Sequence, residues 1–491
     1  MHIEFNTDNV TIALAPAGCG KTHFLRDKVT EAMNTFRPED VAFVSYTRMG
    51  AQHGKRVIMK HLGIEEEQLP FFATLHSLTF NALGLKYENI FSIKHVRKFN
   101  SLLGFNITLN KDVDSNTSDD KLLVYYDMER SGMPQGQDFV DKVDSVKYTR
   151  FKKAYKHYKE KNNLVDFMDC LLLFVERGKP IPVRFACIDE AQDLTALQWK
   201  VCMTAFSKCE QLYIAGDDYQ SIYTYAGAKP DYLIDLASRY NTEKLTVTYR
   251  LPKKICDMSK GITDILAEKI SKDYEPYKTT EGSILNLPNK QAAADVVEKK
   301  RNETWLLLFR NNYYIPELEK IFHEKLIPYH NNNGFFIHER TLARIRKFYN
   351  FRKTGFGTDE TREVFMNSFG IKDINDDLSD TNIVQGDMKY VVQAYVEKFG
   401  VEELIRLAKG EPRIRVSTIH RAKGAEARNV AVFLDCTRRV YQNIYSNLDS
   451  ELRLLYVACT RAEENLYLVQ SDTTFGLDNV MAQIIDNNGG V

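Results

Sequence analysis

Val10-Thr11-Ile12-Ala13-Leu14-Ala15-Pro16-Ala17-Gly18-Cys19-Gly20-Lys21-Thr22 decides how the chain is read. Val10 to Ala15 is an apolar run of strand length, and a helical pattern opens at the end of the stretch. A glycine-bearing loop between a strand and a helix start lets backbone N–H groups wrap phosphates. Here Ala17, Gly18, Cys19 and Gly20 supply that wrap, Lys21 reaches the β and γ phosphates, and the Thr22 hydroxyl ligates Mg²⁺. Ala15 stands where the pattern has its first glycine. The match is imperfect, and Gly-Lys-Thr triplets are common, so the reading needs a second element.

Cys187-Ile188-Asp189-Glu190-Ala191-Gln192-Asp193 supplies it. Two acidic residues end another apolar run: Asp189 holds Mg²⁺, and Glu190 orients or deprotonates the attacking water. Acidic residues at strand ends also serve as helix N-caps, a role open to Asp193. Hydrolysis further needs positive charge where negative charge develops on the γ-phosphate. Arg250, in Thr248-Tyr249-Arg250, and Arg461, in Thr460-Arg461-Ala462, are the candidates.

Apolar runs of strand length at Val10 to Ala15, Val41 to Tyr46, Val183 to Ile188 and Gln211 to Ala215 alternate with longer helical patterns. The theme repeats at Thr304 to Phe309, Ile414 to Thr418, Asn429 to Leu434 and Asn465 to Val469. Continuous apolar strands separated by helices predict parallel sheets covered on both faces. The fold expected is α/β, with two parallel-sheet domains carrying helical insertions. Leu85 to Leu164 and roughly Arg352 to Gly410 lack strong strand signals and read as the insertions. Within the first, Asp141 to Lys161 is an amphipathic helix with Tyr148, Phe151, Tyr155 and Tyr158 on one face. Lys147, Arg150, Lys152, Lys153, Lys156 and Lys159 surround them, and an aromatic core face with a solvated basic face is the preferred reading.

The composition sets bounds. In 491 residues, Lys plus Arg and Asp plus Glu are 66 each, so nucleic acid must be held by a local groove rather than by the global field. The eight cysteines show no Cys-x-x-Cys pair and no histidine at zinc spacing, and are expected to be reduced and mostly buried. No leader and no membrane-spanning run is evident, so a cytoplasmic location is expected.

With these residues in place, the chain resembles the UvrD/Rep family of superfamily 1A DNA helicases. Nine ordered segments carry the likeness: Ala15 to Thr22; Val44 to Arg48; Ala73 to Ser77; Val165 to Asp169; Asp189 to Asp193 with Gln198; Gly216 to Tyr223; Thr248 to Arg250; Ser417 to Glu426; and Leu455 to Ala462. The resemblance implies two RecA-like motor domains that bind ATP in the cleft between them. Domain 1A falls at 1–84 and 165–249, insertion 1B at 85–164, domain 2A at 250–351 and 411–491, and a reduced insertion 2B at 352–410. It assigns γ-phosphate sensing to Gln220, adenine stacking to Tyr249, a γ-phosphate contact to Arg250, a ribose contact to Glu426, and an arginine in the cleft to Arg461. Tyr46, Thr47, Arg48, Thr74, His76, Ser77, Tyr223, Tyr225 and His420 fall on positions that line the single-strand groove. Aromatic faces, hydroxyls and arginine hold single strands without reading sequence.

Three departures stand out. No glutamine precedes Gln52, where the family carries an adenine-reading one, so weak NTP selectivity is expected. Tyr225-Ala226 replaces the usual tryptophan-arginine pair. Thirty residues follow Arg461, without a nuclease pattern, so any strand cleavage is expected from a partner. The leading expectation is an ATP-dependent, Mg²⁺-requiring translocase and 3′-to-5′ helicase on single-stranded and tailed duplex DNA, serving repair or recombination. The competing one is a DNA-stimulated ATPase subunit that senses DNA for a partner nuclease in a recombination or anti-phage assembly. A scaffold without hydrolysis is disfavoured because Lys21, Thr22, Asp189, Glu190, Gln220, Arg250 and Arg461 are all present.

Overall fold

The computed structural model describes residues 2–109, 119–132, 144–354, 358–373, 375–444 and 447–487, with the side chains of Arg48, Met49 and Asn487 excepted. The chain forms two compact units. The first comprises Met1–Arg250, Thr263–Lys278 and Asp449–Tyr456; the second comprises Leu251–Ile262, Thr279–Leu448 and Val457–Val491.

In the first unit, β1 (Val10–Leu14), β2 (Val41–Ser45), β3 (Phe72–Thr74), β4 (Phe185–Asp189), β5 (Gln211–Gly216) and β6 (Asn241–Lys244) form one sheet in the order β3-β2-β4-β5-β1-β6. All five pairings are parallel, and β7 (Val247–Thr248) and β8 (Glu275–Pro276) pair in parallel as a separate two-stranded sheet. Ile12, Leu14, Val44, Ile188 and Ile214 enter one core, whereas Ala13, Phe43, Cys187 and Ala215 enter another. Burial on both faces explains why these strands read as unbroken apolar runs. Two strands escaped that signal. Phe72–Thr74 is three residues long, and Asn241–Lys244 is a polar edge strand paired only with β1, a composition that discourages further strand addition.

The first insertion contains the helices Ile93–Leu103, Asp120–Arg130 and Ser145–Lys161; positions 141–143 of the expected helix lie outside the described residues. Tyr148, Phe151, Tyr155 and Tyr158 are buried with Phe91, Phe99 and Phe105. Phe99 meets Tyr155 edge-on at 5.7 Å, as aromatic quadrupoles favour. Lys159 departs from the expected solvated face and is only 4% exposed. Its ammonium donates to Asp166 at 2.6 Å and to Asp169. Arg130 bridges Asp166, Asp169 at 2.7 Å and Asp127 at 2.5 Å. Asp166 and Asp169 also form the capping box of the helix Phe167–Arg177, each carboxylate accepting the other's backbone N–H at 2.8 Å. Two cations of the insertion are therefore bonded to the first turn of a sheet-domain helix.

In the second unit, β9 (Ser283–Leu287), β10 (Trp305–Phe309), β11 (His330–Asn331), β12 (Gly334–Phe335), β13 (Ile414–Thr418), β14 (Ala427–Phe433) and β15 (Ala462–Val469) take the order β12-β11-β13-β10-β14-β15-β9. Every pairing is parallel except the β11–β12 edge hairpin. Phe309 stacks on Phe433 at 4.0 Å in its core. A separate helical core gathers Phe335 and Ile337 with Leu342, Ile345, Phe348, Phe365, Phe369, Val392, Tyr395 and Leu404. The helix Glu339–Thr354 runs through position 352 and places three side chains in that core. The Tyr395 hydroxyl donates towards the carbonyls of Phe322, at 3.0 Å, and Ile327, at 2.8 Å. All eight cysteines are buried thiols, and among the described residues no helix is long and apolar enough to cross a membrane.

The insertion clamp makes stability depend on pH. Burial alone would raise the Asp166 carboxyl, but the charges and hydrogen bonds of Arg130 and Lys159 outweigh it and hold it well below the usual carboxylate range. A depressed carboxylate stabilises the fold above its unfolded pKa of about 3.9, and the contribution is lost as pH falls through lower values. Urea unfolding of the wild type is expected to show stability falling below about pH 4, with a shallower fall in Asp166→Asn. Arg130→Ala should cost about 3–5 kcal/mol at neutral pH by leaving buried carboxylates without their cation.

Candidate nucleotide site and nucleic-acid face

Beyond β1 the chain turns back on itself. Ala15 N–H donates to the Gly216 carbonyl at 3.1 Å, and Gly18 and Gly20 adopt left-handed φ values of 74° and 77°. A β-carbon on Gly18 would lie 2.6 Å from Arg250 Cβ and 2.7 Å from Thr248 Oγ1, so glycine is required by both backbone and space. Thr248 Oγ1 donates to the Ala17 carbonyl at 2.9 Å, and Tyr249 N–H donates to the Gly18 carbonyl at 3.0 Å. The segment Thr248-Tyr249-Arg250 thus braces the loop. Lys21 and Thr22 open the helix Lys21–Ala32, whose first N–H groups have no partner within the helix and favour an anion.

The acidic pair lies across from the loop. Asp189 ends β4, and Glu190 follows in a left-handed conformation, φ 55° and ψ 40°, which a side chain as long as glutamate seldom adopts and which marks functional sites. Lys21 Nζ lies 2.5 Å from Glu190 Oε1 and 3.5 Å from Asp189 Oδ1. Burial raises the Asp189 carboxyl and the neighbouring Glu190 charge adds to the rise, while Lys21 opposes both. Lys21 itself, though burial disfavours its charge, is held protonated by the two carboxylates. A buried and a half-buried carboxylate with one lysine between them form a donor set suited to a divalent cation. The turned loop and helix start suit the phosphates it accompanies. Among the described residues no separate cluster of three metal-ligating side chains exists.

Three further residues build this site, and the motif reading had not singled them out. Tyr456 accepts the Ala17 N–H at 2.9 Å and lies 3.5 Å from Asp217 Oδ2. Lys272, fully buried, bridges Asp217 at 2.8 Å and Asp218, with its ammonium over the Tyr219 ring. Gln192 donates to Glu190 Oε2 at 2.6 Å. Gln220, expected near the γ-phosphate, donates its amide to Asp217 Oδ2 at 2.8 Å. Tyr456 and Gln192 fall in quoted motifs without a role of their own; Lys272 lies in a stretch, Glu268 to Tyr274, that carries no pattern of its own.

A second set of predicted residues gathers at the ends of neighbouring strands. The rings of Tyr46 and Tyr223 lie 5.4 Å apart, and those of Tyr223 and Tyr225 6.3 Å apart, forming an aromatic row after β2 and β5. Burial, with the Asp193 charge nearby, pushes the hydroxyls of Tyr46 and Tyr223 above their ordinary range. Thr47 and Thr74 use their hydroxyls as N-caps, accepting from Gly50 N–H at 3.0 Å and Ser77 N–H at 3.3 Å. His76 meets Phe167 edge-on and Ser77 is exposed; the Arg48 side chain lies outside the described residues. Tyr249 is exposed and packs its ring 5.2 Å from that of Tyr277, with Gly20 about one side-chain contact away.

In the second unit, His420 follows β13, and burial together with the charges of Arg310 and Lys423 pushes its imidazole down to about 3, leaving it neutral. Glu426 is exposed just before β14. Arg461 follows the helix Leu448–Cys459, is nearly buried, and donates Nε–H to the Val457 carbonyl at 3.0 Å.

The glycine loop, the acidic strand end and the aromatic row stand on one parallel sheet, and comparison specifies the family. A model described as UvrD/REP helicase N-terminal domain matches residues 2–241, and one described as UvrD-like helicase C-terminal domain matches residues 137–473. The chain belongs to the UvrD/Rep helicase family. It is 24% identical over 381 residues to the ATP-dependent DNA helicase Rep of Buchnera aphidicola subsp. Schizaphis graminum, covering 68% of this chain and 57% of that protein. To the probable DNA helicase II homolog of Mycoplasma capricolum it is 22% identical over 94% of this chain and 82% of the relative. To Escherichia coli Rep it is 22% identical over 68% of this chain and 54% of the relative. The chain thus spans little more than half the length of the Rep proteins it matches.

Lys272→Met should leave Asp217 and Asp218 buried without their cation and lower unfolding free energy by about 3–5 kcal/mol. Urea denaturation checks this; an unchanged midpoint would remove Lys272 from the structural account.

Proposed function

We propose that this chain is an ATP-driven translocase on single-stranded DNA that unwinds 3′-tailed duplex, with Mg²⁺ as its metal. The observation that carries the reading is Lys21 paired with Glu190 and Asp189, one or two strands from the Tyr46, Tyr223 and Tyr225 row. Fuel site and track site then share one rigid sheet.

The chemistry assigned to the residues is as follows. The loop Ala17 to Gly20 and the ammonium of Lys21 hold the phosphates, the N–H groups of Gly18 and Gly20 facing them while Ala17 N–H is bonded to the Tyr456 hydroxyl and Cys19 N–H to the Pro16 carbonyl. Thr22 and Asp189 hold the Mg²⁺, which supplies charge neutralisation when bound. Glu190 accepts the proton of a water whose oxygen attacks the γ-phosphorus as the bond to the β-phosphate oxygen breaks, leaving ADP and phosphate. Arg250 and Arg461 offset the charge that develops. Tyr249 stacks on the base and Glu426 meets the ribose. Gln220 exchanges its bond to Asp217 for the γ-phosphate. On the DNA side, Tyr46, Tyr223 and Tyr225 stack on bases, each worth about 1–3 kcal/mol. Thr47, Arg48, Thr74, His76, Ser77 and His420 line the backbone. A neutral His420 acts there as a hydrogen-bonding group rather than a charge.

Glu190→Gln should retain nucleotide binding and lose most turnover; ordinary steady-state rates would refute its role as base. Arg461→Ala should lower the rate of hydrolysis by about 10³-fold, and near wild-type rates would place the charge elsewhere. Polarity is tested by strand displacement from 3′-tailed against 5′-tailed duplex with ATP. Displacement from the 3′-tailed substrate alone is expected; DNA-stimulated hydrolysis without displacement would leave a translocase and remove the helicase.

A further inference from the structure

Gln192 lies between the two halves of the proposed machinery. It occupies the short turn Ala191–Asp193 directly after Glu190 and is fully buried. Its side chain makes one bond at each end: Nε2–H donates to Glu190 Oε2 at 2.6 Å, and Oε1 accepts the Asp217 N–H at 3.0 Å. That orientation is dictated by the partners, because a carboxylate only accepts and a peptide N–H only donates. No acid, hydroxyl or methyl side chain satisfies both. The main chain adds a third link, as the Ser221 hydroxyl donates to the Gln192 carbonyl at 3.0 Å. Gly216 leaves the space this needs, since a β-carbon there would come within 2.8 Å of Gln192 Oε1.

The three links lead to different places. Glu190 carries its other oxygen on Lys21. Asp217 holds the amide of Gln220. Ser221 precedes Tyr223 by two positions, and Tyr223 stands in the aromatic row. When Lys21 is drawn to phosphate, the Gln192 amide still donates to Glu190 and aims its carboxylate. A shift of the Ser221 to Tyr223 segment is transmitted to that donor through two hydrogen bonds.

We infer that Gln192 is a positioning residue that couples occupancy of the aromatic row by single-stranded DNA to the orientation of Glu190. The inference rests on the ATP-hydrolysing reading above. It assigns DNA stimulation of turnover to one carboxamide, separate from the contacts that bind nucleotide.

The test is steady-state ATP hydrolysis by the full chain with and without oligo(dT), for wild type, Gln192→Met, Gln192→Glu and Ser221→Ala. The readout is the ratio of stimulated to unstimulated kcat in one preparation, in which any unfolded fraction cancels. Gln192→Met removes both side-chain bonds and should lower the ratio by about tenfold or more, the worth of a hydrogen bond to a charged group. KM for ATP should stay within about twofold, because ground-state binding is untouched. Gln192→Glu, which sets one carboxylate against another, should lower the ratio as well, and Ser221→Ala should move it in the same direction. In a Glu190→Gln background, Gln192→Met should add little further loss, since the two act as a unit. A Gln192→Met ratio equal to wild type overturns the inference, as does a parallel fall of both rates at constant ratio or a wild type that oligo(dT) does not stimulate. A wild type that consumes no ATP at all overturns the motor reading itself, and the inference falls with it.

Discussion

Lys21 holds its ammonium 2.5 Å from Glu190 and 3.5 Å from Asp189, in surroundings that exclude most water. Two carboxylates side by side in such a place repel one another and resist ionisation. The lysine makes the arrangement tolerable, and the pair still carries one negative charge more than the lysine offsets. The rest of the first unit serves to keep these three groups in register. Parallel pairing of β4 with β2 and β5, and of β5 with β1, sets the acidic strand end beside the loop. The close approach at Gly18, the brace from Thr248 to Arg250 and the hydroxyl of Tyr456 hold the loop's backbone where it turns.

A second layer of buried charge supports the first. Asp217 touches the amide of Gln220 and the ammonium of Lys272, its N–H is taken by Gln192, and the Tyr456 hydroxyl lies 3.5 Å away. A carboxylate with this many partners is held in one orientation despite complete burial. The polar groups beside Lys21 and those that lead to the aromatic row are therefore joined by hydrogen bonds of fixed direction. Such networks have few alternative arrangements, and a change at one end has to be answered at the other.

Much of this was legible from one dimension. Runs of five or six residues announced parallel strands because burial on both faces erases alternation, and observed strands fell within about two residues of most of those runs. Loop, acidic pair, bracing segment and aromatic row each followed a strand in the expected order. The unreadable pieces have physical reasons. Phe72–Thr74 is too short for any periodicity, and Asn241–Lys244 is polar because it lies at an edge. Lys159 looked like one more solvated base on a basic helix face, but three aspartates from two other segments surround Arg130 and itself and hold it inside.

Local order, then, was determined by the sequence alone: which segments are strands, which loop turns through left-handed glycines, and which side chains carry the chemistry proposed for hydrolysis and stacking. Those properties depend on residue type and spacing over a few positions, and they survive in any fold that keeps the order. Only the tertiary structure decided the partners. Lys272 and Tyr456 reach the loop's neighbourhood from positions 55 and 239 residues beyond Asp217, and Gln192 is set against Glu190, Asp217 and Ser221 by the pairing of β4 with β5. A hydrogen bond has no memory of chain distance. Its existence depends on two atoms meeting at about 3 Å, and that meeting is fixed by packing.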